Sequence, residues 1–140
     1  MKNIVLINKI KIMRKYLIIV FLMIVTTSSF GAYYCERANL YGIGMRERVG
    51  FIELPSNYYF LVTCDAYSSC VNNLAVSEVL VYDNNQQGIP FFNLINDSRF
   101  GSMTIRKSGI THFNGAIAKV YVYCETTVPG YATAEAYIKW

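Results

Sequence analysis

"AIAKVYVYCETTVPGYATAEAYIKW", residues 116–140, contains two runs of strict alternation separated by a turn signal. In the first run Ala116, Ala118, Val120, Val122 and Cys124 alternate with Ile117, Lys119, Tyr121 and Tyr123. In the second, Ala132, Ala134, Ala136, Ile138 and Trp140 alternate with Tyr131, Thr133, Glu135, Tyr137 and Lys139. A strand turns successive side chains to opposite faces, so each run has one apolar face and one face of tyrosines and charges. With "TTVPG" as the turn, the two runs are expected to pair as a hairpin, Val120 opposite Ala136 and Val122 opposite Ala134, a large-against-small match suited to a core. The same register sets Lys119 opposite Tyr137 and Tyr121 opposite Glu135. Tyr121, Tyr123, Tyr131, Tyr137 and Lys119 then share a solvated face, an expected platform for stacked sugar rings or a protein partner.

The same texture extends upstream. Candidate strands are Val49 to Leu54, Tyr58 to Cys64, Leu74 to Tyr82, Pro90 to Ile95, Met103 to Lys107, Gly109 to Phe113, Ala116 to Glu125 and Tyr131 to Trp140, and "YYCERANLYGIG" holds another near its start. Turn signals lie between them in "ELPSN", "DNNQQG", "NDSRFG" and "VPG". Asn114-Gly115 is expected to form a two-residue type I′ hairpin. "CVNNLAVSEVLVY" is the best helix competitor, with Asn72 or Asn73 as cap, but Val76, Val79 and Val81 favour a strand. The fold class that follows is all-β, a small antiparallel sandwich or barrel of seven or eight strands.

The N-terminal stretch "MRKYLIIVFLMIVTTSSFGAYYCE", residues 13–36, has an apolar run from Leu17 to Val25, about half of the roughly 20 residues a membrane-spanning helix needs. Arg14 and Lys15 precede it and Ser28, Ser29, Gly31 and Ala32 follow, the pattern of a cleavable signal peptide over residues 1–32, with Met13 as an alternative start. Residues 33–140 are then a single exported domain, secreted or periplasmic, with no stable membrane anchor after cleavage. Of the 13 Lys+Arg, Lys2, Lys9, Lys11, Arg14 and Lys15 fall in this leader and none of the nine Asp+Glu does, so the remainder carries a formal charge near −1. The basicity of the whole chain is thus a targeting feature, and charge gives no reason to expect a nucleic-acid partner.

All four cysteines lie in the domain. An exported chain with an even count suggests two disulfides, here Cys64 with Cys70 and Cys35 with Cys124. Zinc is the competing reading, but five residues separate Cys64 from Cys70 and the other two are isolated. No metal or other cofactor is expected.

Catalytic motifs are missing. There is no Gly-x-Ser-x-Gly elbow, phosphate-cradling glycine loop or His-Glu-x-x-His. Gly42 and Gly44 read as a bend, "RER" at Arg46 to Arg48 as a solvated segment, and "NDS" at Asn96 to Ser98 as a short match to the glycosylation acceptor pattern. His112 is the single histidine, and Asp65, Asp83 and Asp97 sit at turn positions. The sequence therefore points to a non-enzymatic module recognising an extracellular or envelope glycan or protein, of the adhesin, toxin-binding-subunit or inhibitor-like kind. The alternative is a small secreted hydrolase using His112 or two of the carboxylates Asp65, Asp83, Asp97 and Glu125.

Overall fold

The structure, a computed structural model, describes residues 31–85 and 88–140. The leader over residues 1–32, apart from its last two positions, lies outside the described residues. Eight antiparallel strands follow one another: β1 (Tyr33–Tyr41), β2 (Gly44–Leu54), β3 (Tyr59–Ser68), β4 (Asn73–Asp83), β5 (Phe92–Ser98), β6 (Gly101–Ile110), β7 (Ala116–Thr126) and β8 (Tyr131–Lys139). The expected all-β architecture is present, and no described residue is helical. The segment with the competing helix signal is β4, where Ala75, Val79 and Val81 point inward and are wholly buried.

The pairing is that of one long hairpin rolled up. Partners run from Tyr33 with Lys139, through Gly44 with Thr126 and Tyr59 with Ile110, to Ala75 with Ser98, so β1 to β4 descend along β8 to β5. Rolling adds β3 to β8 and β4 to β7. Two four-stranded sheets result, a front sheet in the order β1-β8-β3-β6 and a back sheet in the order β2-β7-β4-β5. This is the strand arrangement of an eight-stranded jelly roll, a sandwich rather than a barrel.

The core lies between the sheets. Phe60, Val62 and Ile138 enter from the front, and Val79, Val81, Val120 and Val122 from the back, all wholly buried. Phe60 meets Phe92 edge-on with ring centroids 5.0 Å apart. Each such side chain contributes about 1.5–3 kcal/mol relative to exposure.

Three expectations are corrected by this topology. First, β7 and β8 do not pair. β7 lies between β2 and β4, β8 lies between β1 and β3, and "TTVPG" is a corner between sheets. Asn73, wholly buried, holds that corner, its side-chain oxygen accepting hydrogen bonds from the Thr127 and Val128 amides at 3.1 and 3.5 Å. The even-numbered face of each strand is nevertheless the buried one. Val120 and Val122 therefore lie in a different sheet from Ala136 and Ala134 and are not their register neighbours.

Second, Asn114-Gly115 is not a hairpin turn, because β6 and β7 belong to different sheets. Only Gly115 has positive φ, at 73°, and a Cβ there would lie 3.0 Å from the Leu54 carbonyl oxygen, so glycine is needed for close approach as well as conformation.

Third, all four cysteines are free thiols. Cys124 is buried on the inner side of the back sheet, while Cys35 occupies an outward position on the front sheet. Cys64 points into the core, and Cys70 lies in the turn after β3. Neither expected pair has side chains directed at one another, as a disulfide requires.

Candidate functional site

The register fixes what the outer face of the front sheet presents. Odd-numbered residues of β1, β3 and β8 point outward, and cross-strand partners share a face, so the residues form rows across the sheet. The central row is Arg37, Glu135, Asp65 and Thr104; the next is Asn39, Thr133, Tyr67 and Ser102; Tyr41 and Tyr131 follow. These rows line a groove of about 380 Å³.

Its two halves differ in chemistry. At one end the Tyr41 and Tyr131 rings stack, with centroids 5.1 Å apart and planes 13° from parallel, and Tyr67 packs against Tyr131 at 4.9 Å. In the central row the Arg37 guanidinium donates from Nε to Glu135 Oε2 at 2.6 Å, and its Nη2 lies 2.5 Å from the same oxygen. The Cys35 thiol meets the other oxygen, Oε1, at 3.5 Å. Burial, first of all, pushes the Cys35 pKa up, so this thiol is a weak donor rather than a nucleophile. The ion pair is exposed and contributes at most about 1 kcal/mol. What it does is orient Glu135 beside Asp65.

Asp65 is the register neighbour of Glu135, so two carboxylates lie side by side with Cβ atoms roughly 4.5–5.5 Å apart. Like charges so placed repel, and Arg37 offsets one of them. Beyond this row, Thr63 is wholly buried between Tyr137 and Arg106, its hydroxyl without a hydrogen-bond partner.

The residues expected to form one tyrosine platform are divided by the topology. Tyr131 and Tyr137 are on the outer front face, where Tyr137 meets Tyr33 edge-on at 6.1 Å. Lys119, Tyr121 and Tyr123 are on the outer back face. Lys119 Nζ lies 5.9 Å from the Tyr121 ring centroid, and the Tyr123 hydroxyl donates to Glu125 Oε2 at 2.9 Å. One small ligand cannot touch both sets. Arg37, Asn39, Tyr41, Tyr67, Thr104, Thr133 and Glu135 were missed as site residues. The signal that finds them is alternation in β1 and β3 together with the pairing of those strands to β8.

The carboxylates and His112 disperse in a similar way. Asp65 lines the groove, while Asp97 and Glu125 belong to the back sheet. Asp83 and His112 do meet, Oδ2 to Nδ1 at 2.8 Å, where the β6–β7 crossover passes the end of β4. Asp83 is held below the usual carboxylate range, chiefly by the Asn85 amide and then by His112. The imidazole stacks on Phe91 at 4.3 Å, so an apolar ring, not a nucleophile, covers its face.

The remaining sequence features have structural roles. Arg46 donates to the Asn39 carbonyl at 2.9 Å, fastening β2 to β1. Asn96 is 2% exposed, and its amide donates to the Cys64 and Met103 carbonyls at 2.9 and 2.8 Å, so in the folded chain it is no glycan acceptor. Among the described residues no group of three or more His, Cys, Asp or Glu is placed to hold a metal ion.

No family model matches the chain, and no curated protein is similar to it in sequence. Solved structures are similar to it at low identity. One, TmCBM61 solved in complex with β-1,4-galactotriose, is 12% identical with a TM-score of 0.47, over 79% of this chain and 88% of that one. Another is PliG from Aeromonas hydrophila, a periplasmic inhibitor of g-type lysozyme, at 10% identity and a TM-score of 0.37, over 79% and 87%. A third is the Yersinia pseudotuberculosis-derived mitogen, at 8% and 0.40, over 79% and 86%. Likeness at this level carries no ligand from one chain to another.

Proposed function

We propose that this chain is an exported, non-enzymatic binding module that takes a glycan in the groove on the outer front face. The observation that supports this is the Tyr41–Tyr131–Tyr67 cluster immediately beside the Arg37–Glu135–Asp65 row. A sugar ring has an apolar face of C–H groups and a rim of hydroxyls, so it needs an aromatic surface and fixed acceptors and donors side by side. Tyrosine rings supply the surface. The Asp65 carboxylate accepts from hydroxyls, and Arg37 and Asn39 donate to sugar oxygens.

Export is part of the proposal and rests on the leader pattern. N-terminal sequencing of protein recovered from an exporting host should begin between Phe30 and Tyr33. Binding is tested by screening the domain against a glycan array and titrating the best ligand into variants. Tyr41→Ala and Asp65→Ala should each weaken binding at least about fivefold, roughly 1 kcal/mol, without altering the melting temperature appreciably. A ligand indifferent to both changes binds elsewhere, and the groove assignment is then wrong.

One observation favours the hydrolase reading, the side-by-side placement of Asp65 and Glu135. A retaining glycosidase holds its two carboxyl groups about 5–5.5 Å apart. Here, however, Glu135 is engaged on both oxygens, by Arg37 and Cys35. Prolonged incubation with the bound oligosaccharide separates the readings: cleavage that Glu135→Gln abolishes makes the protein an enzyme.

A further inference from the structure

We infer that the outer face of the back sheet docks a second protein whose contact surface is both apolar and cationic. The inference is independent of the glycan reading, because it concerns the opposite side of the sandwich. Rows across this sheet bring Phe51 beside Lys119 and Leu80, and Val49 beside Tyr121 and Glu78. Phe51 is 65% exposed and Val49 42%, and Ile95 on β5 adds a further exposed apolar side chain. Between Phe51, Tyr82, Ile117 and Lys119 is a depression of about 340 Å³, large enough to receive an apolar anchor side chain. Exposed apolar side chains grouped beside such a depression point to an interaction surface.

Charge selects the occupant. Among the described residues, strand alternation places five of the nine acidic residues on this face, Glu47, Glu53, Glu78, Asp97 and Glu125, against Lys119 as the one base. Their field reaches the neighbouring rings: the Tyr121 hydroxyl pKa is raised by burial and then by Glu47 and Glu78. A second copy laid face to face would bring like charges together, and an anionic lipid surface would be repelled. An apolar surface rimmed with Lys and Arg is complementary on both counts.

The test places a photo-crosslinking amino acid at position 51 of the full chain, expressed in its own cells, with the same group at position 104 in the front groove as control. The expected result is an adduct from position 51, and not from position 104, with a different protein of pI above about 9. Binding of that partner, once purified, should weaken at least tenfold with Phe51→Ala and with Glu78→Lys. It should also weaken as NaCl rises from about 50 to about 500 mM, because the complementary charges are screened. No adduct, a self-dimer, a lipid adduct, the same adduct from both positions, or a partner indifferent to salt and to Glu78→Lys overturns the inference.

Discussion

Treating the folded protein with an excess of a thiol-alkylating reagent at pH 8 should label Cys70 first, Cys35 more slowly, and leave Cys64 and Cys124 unmodified. Cys64 and Cys124 are wholly buried. Burial pushes the Cys64 thiol from 9.0 up to about 12 and the Cys124 thiol up to about 11. Since the thiolate is the nucleophile and each pKa unit is tenfold in its population, the thiolate populations of these two at pH 8 are roughly a thousandfold and a hundredfold lower than that of an unshifted thiol, even before access is considered. Their labelling should therefore proceed through opening of the sandwich, all four thiols reacting in concentrated guanidinium. The same shifts predict an alkaline limit to stability. A thiol whose folded pKa lies above its unfolded value stabilises the fold fully below pH 9; between pH 9 and about 12 the unfolded chain releases its proton first and stability falls. For Cys64 the loss is of the order of a few kcal/mol by pH 12, so Cys64→Ala should flatten the alkaline limb of a melting-temperature profile. Intact mass before and after denaturation counts the thiols, and non-reducing peptide mapping checks for bridges. A linked Cys35–Cys124 or Cys64–Cys70 peptide from protein recovered from an exporting host would refute the placement of these side chains.

Gly109→Ala should destabilise although it raises strand propensity. The added Cβ would lie 2.5 Å from Cζ of wholly buried Phe60, an overpacking cost of about 1–3 kcal/mol that lowers the melting temperature by several degrees, and Phe60→Leu in the same chain should return part of it. Asn96→Ala strips the buried Cys64 carbonyl and the part-buried Met103 carbonyl of this partner and should cost about 1–3 kcal/mol by urea titration, with unchanged stability arguing against those bonds.

The legible part of the fold was the local part. Alternation in residues 116–140 identifies both strands and the buried parity of each, because side-chain direction depends only on neighbouring backbone. Partner choice is not local. "TTVPG" reads equally well as a hairpin turn or as a corner between sheets, and what decides is that β2 and β4 flank β7 while β1 and β3 flank β8. Asn114-Gly115 fails for the same reason: the dipeptide tolerates a type I′ turn, but its flanking strands are drawn into different sheets. β1 was faint in sequence, since only Ala38 of its nine residues is fully buried, as befits an edge strand.

The site was half legible, and the missing half follows from that error of partnering. Tyr131 and Tyr137 lie on the front face, but their neighbours there are Tyr41 and Cys35 of β1, not Tyr121 and Tyr123 of β7. Moving β7 to the other layer also divides the charges. The front groove keeps the opposed pair Arg37 and Glu135, beside which polar ligands can be oriented, while the back face gathers five of the chain's nine acids around exposed Phe51 and Val49. A formal charge near −1 for the domain conceals this asymmetry, because composition averages over both faces. If the two faces act separately, Phe51→Ala should leave glycan binding in the front groove intact, and Tyr41→Ala should leave protein capture at the back intact. Coupling between them would require the core that separates the sheets to shift, and that core is built of wholly buried valines, alanines and Phe60, which resist such movement.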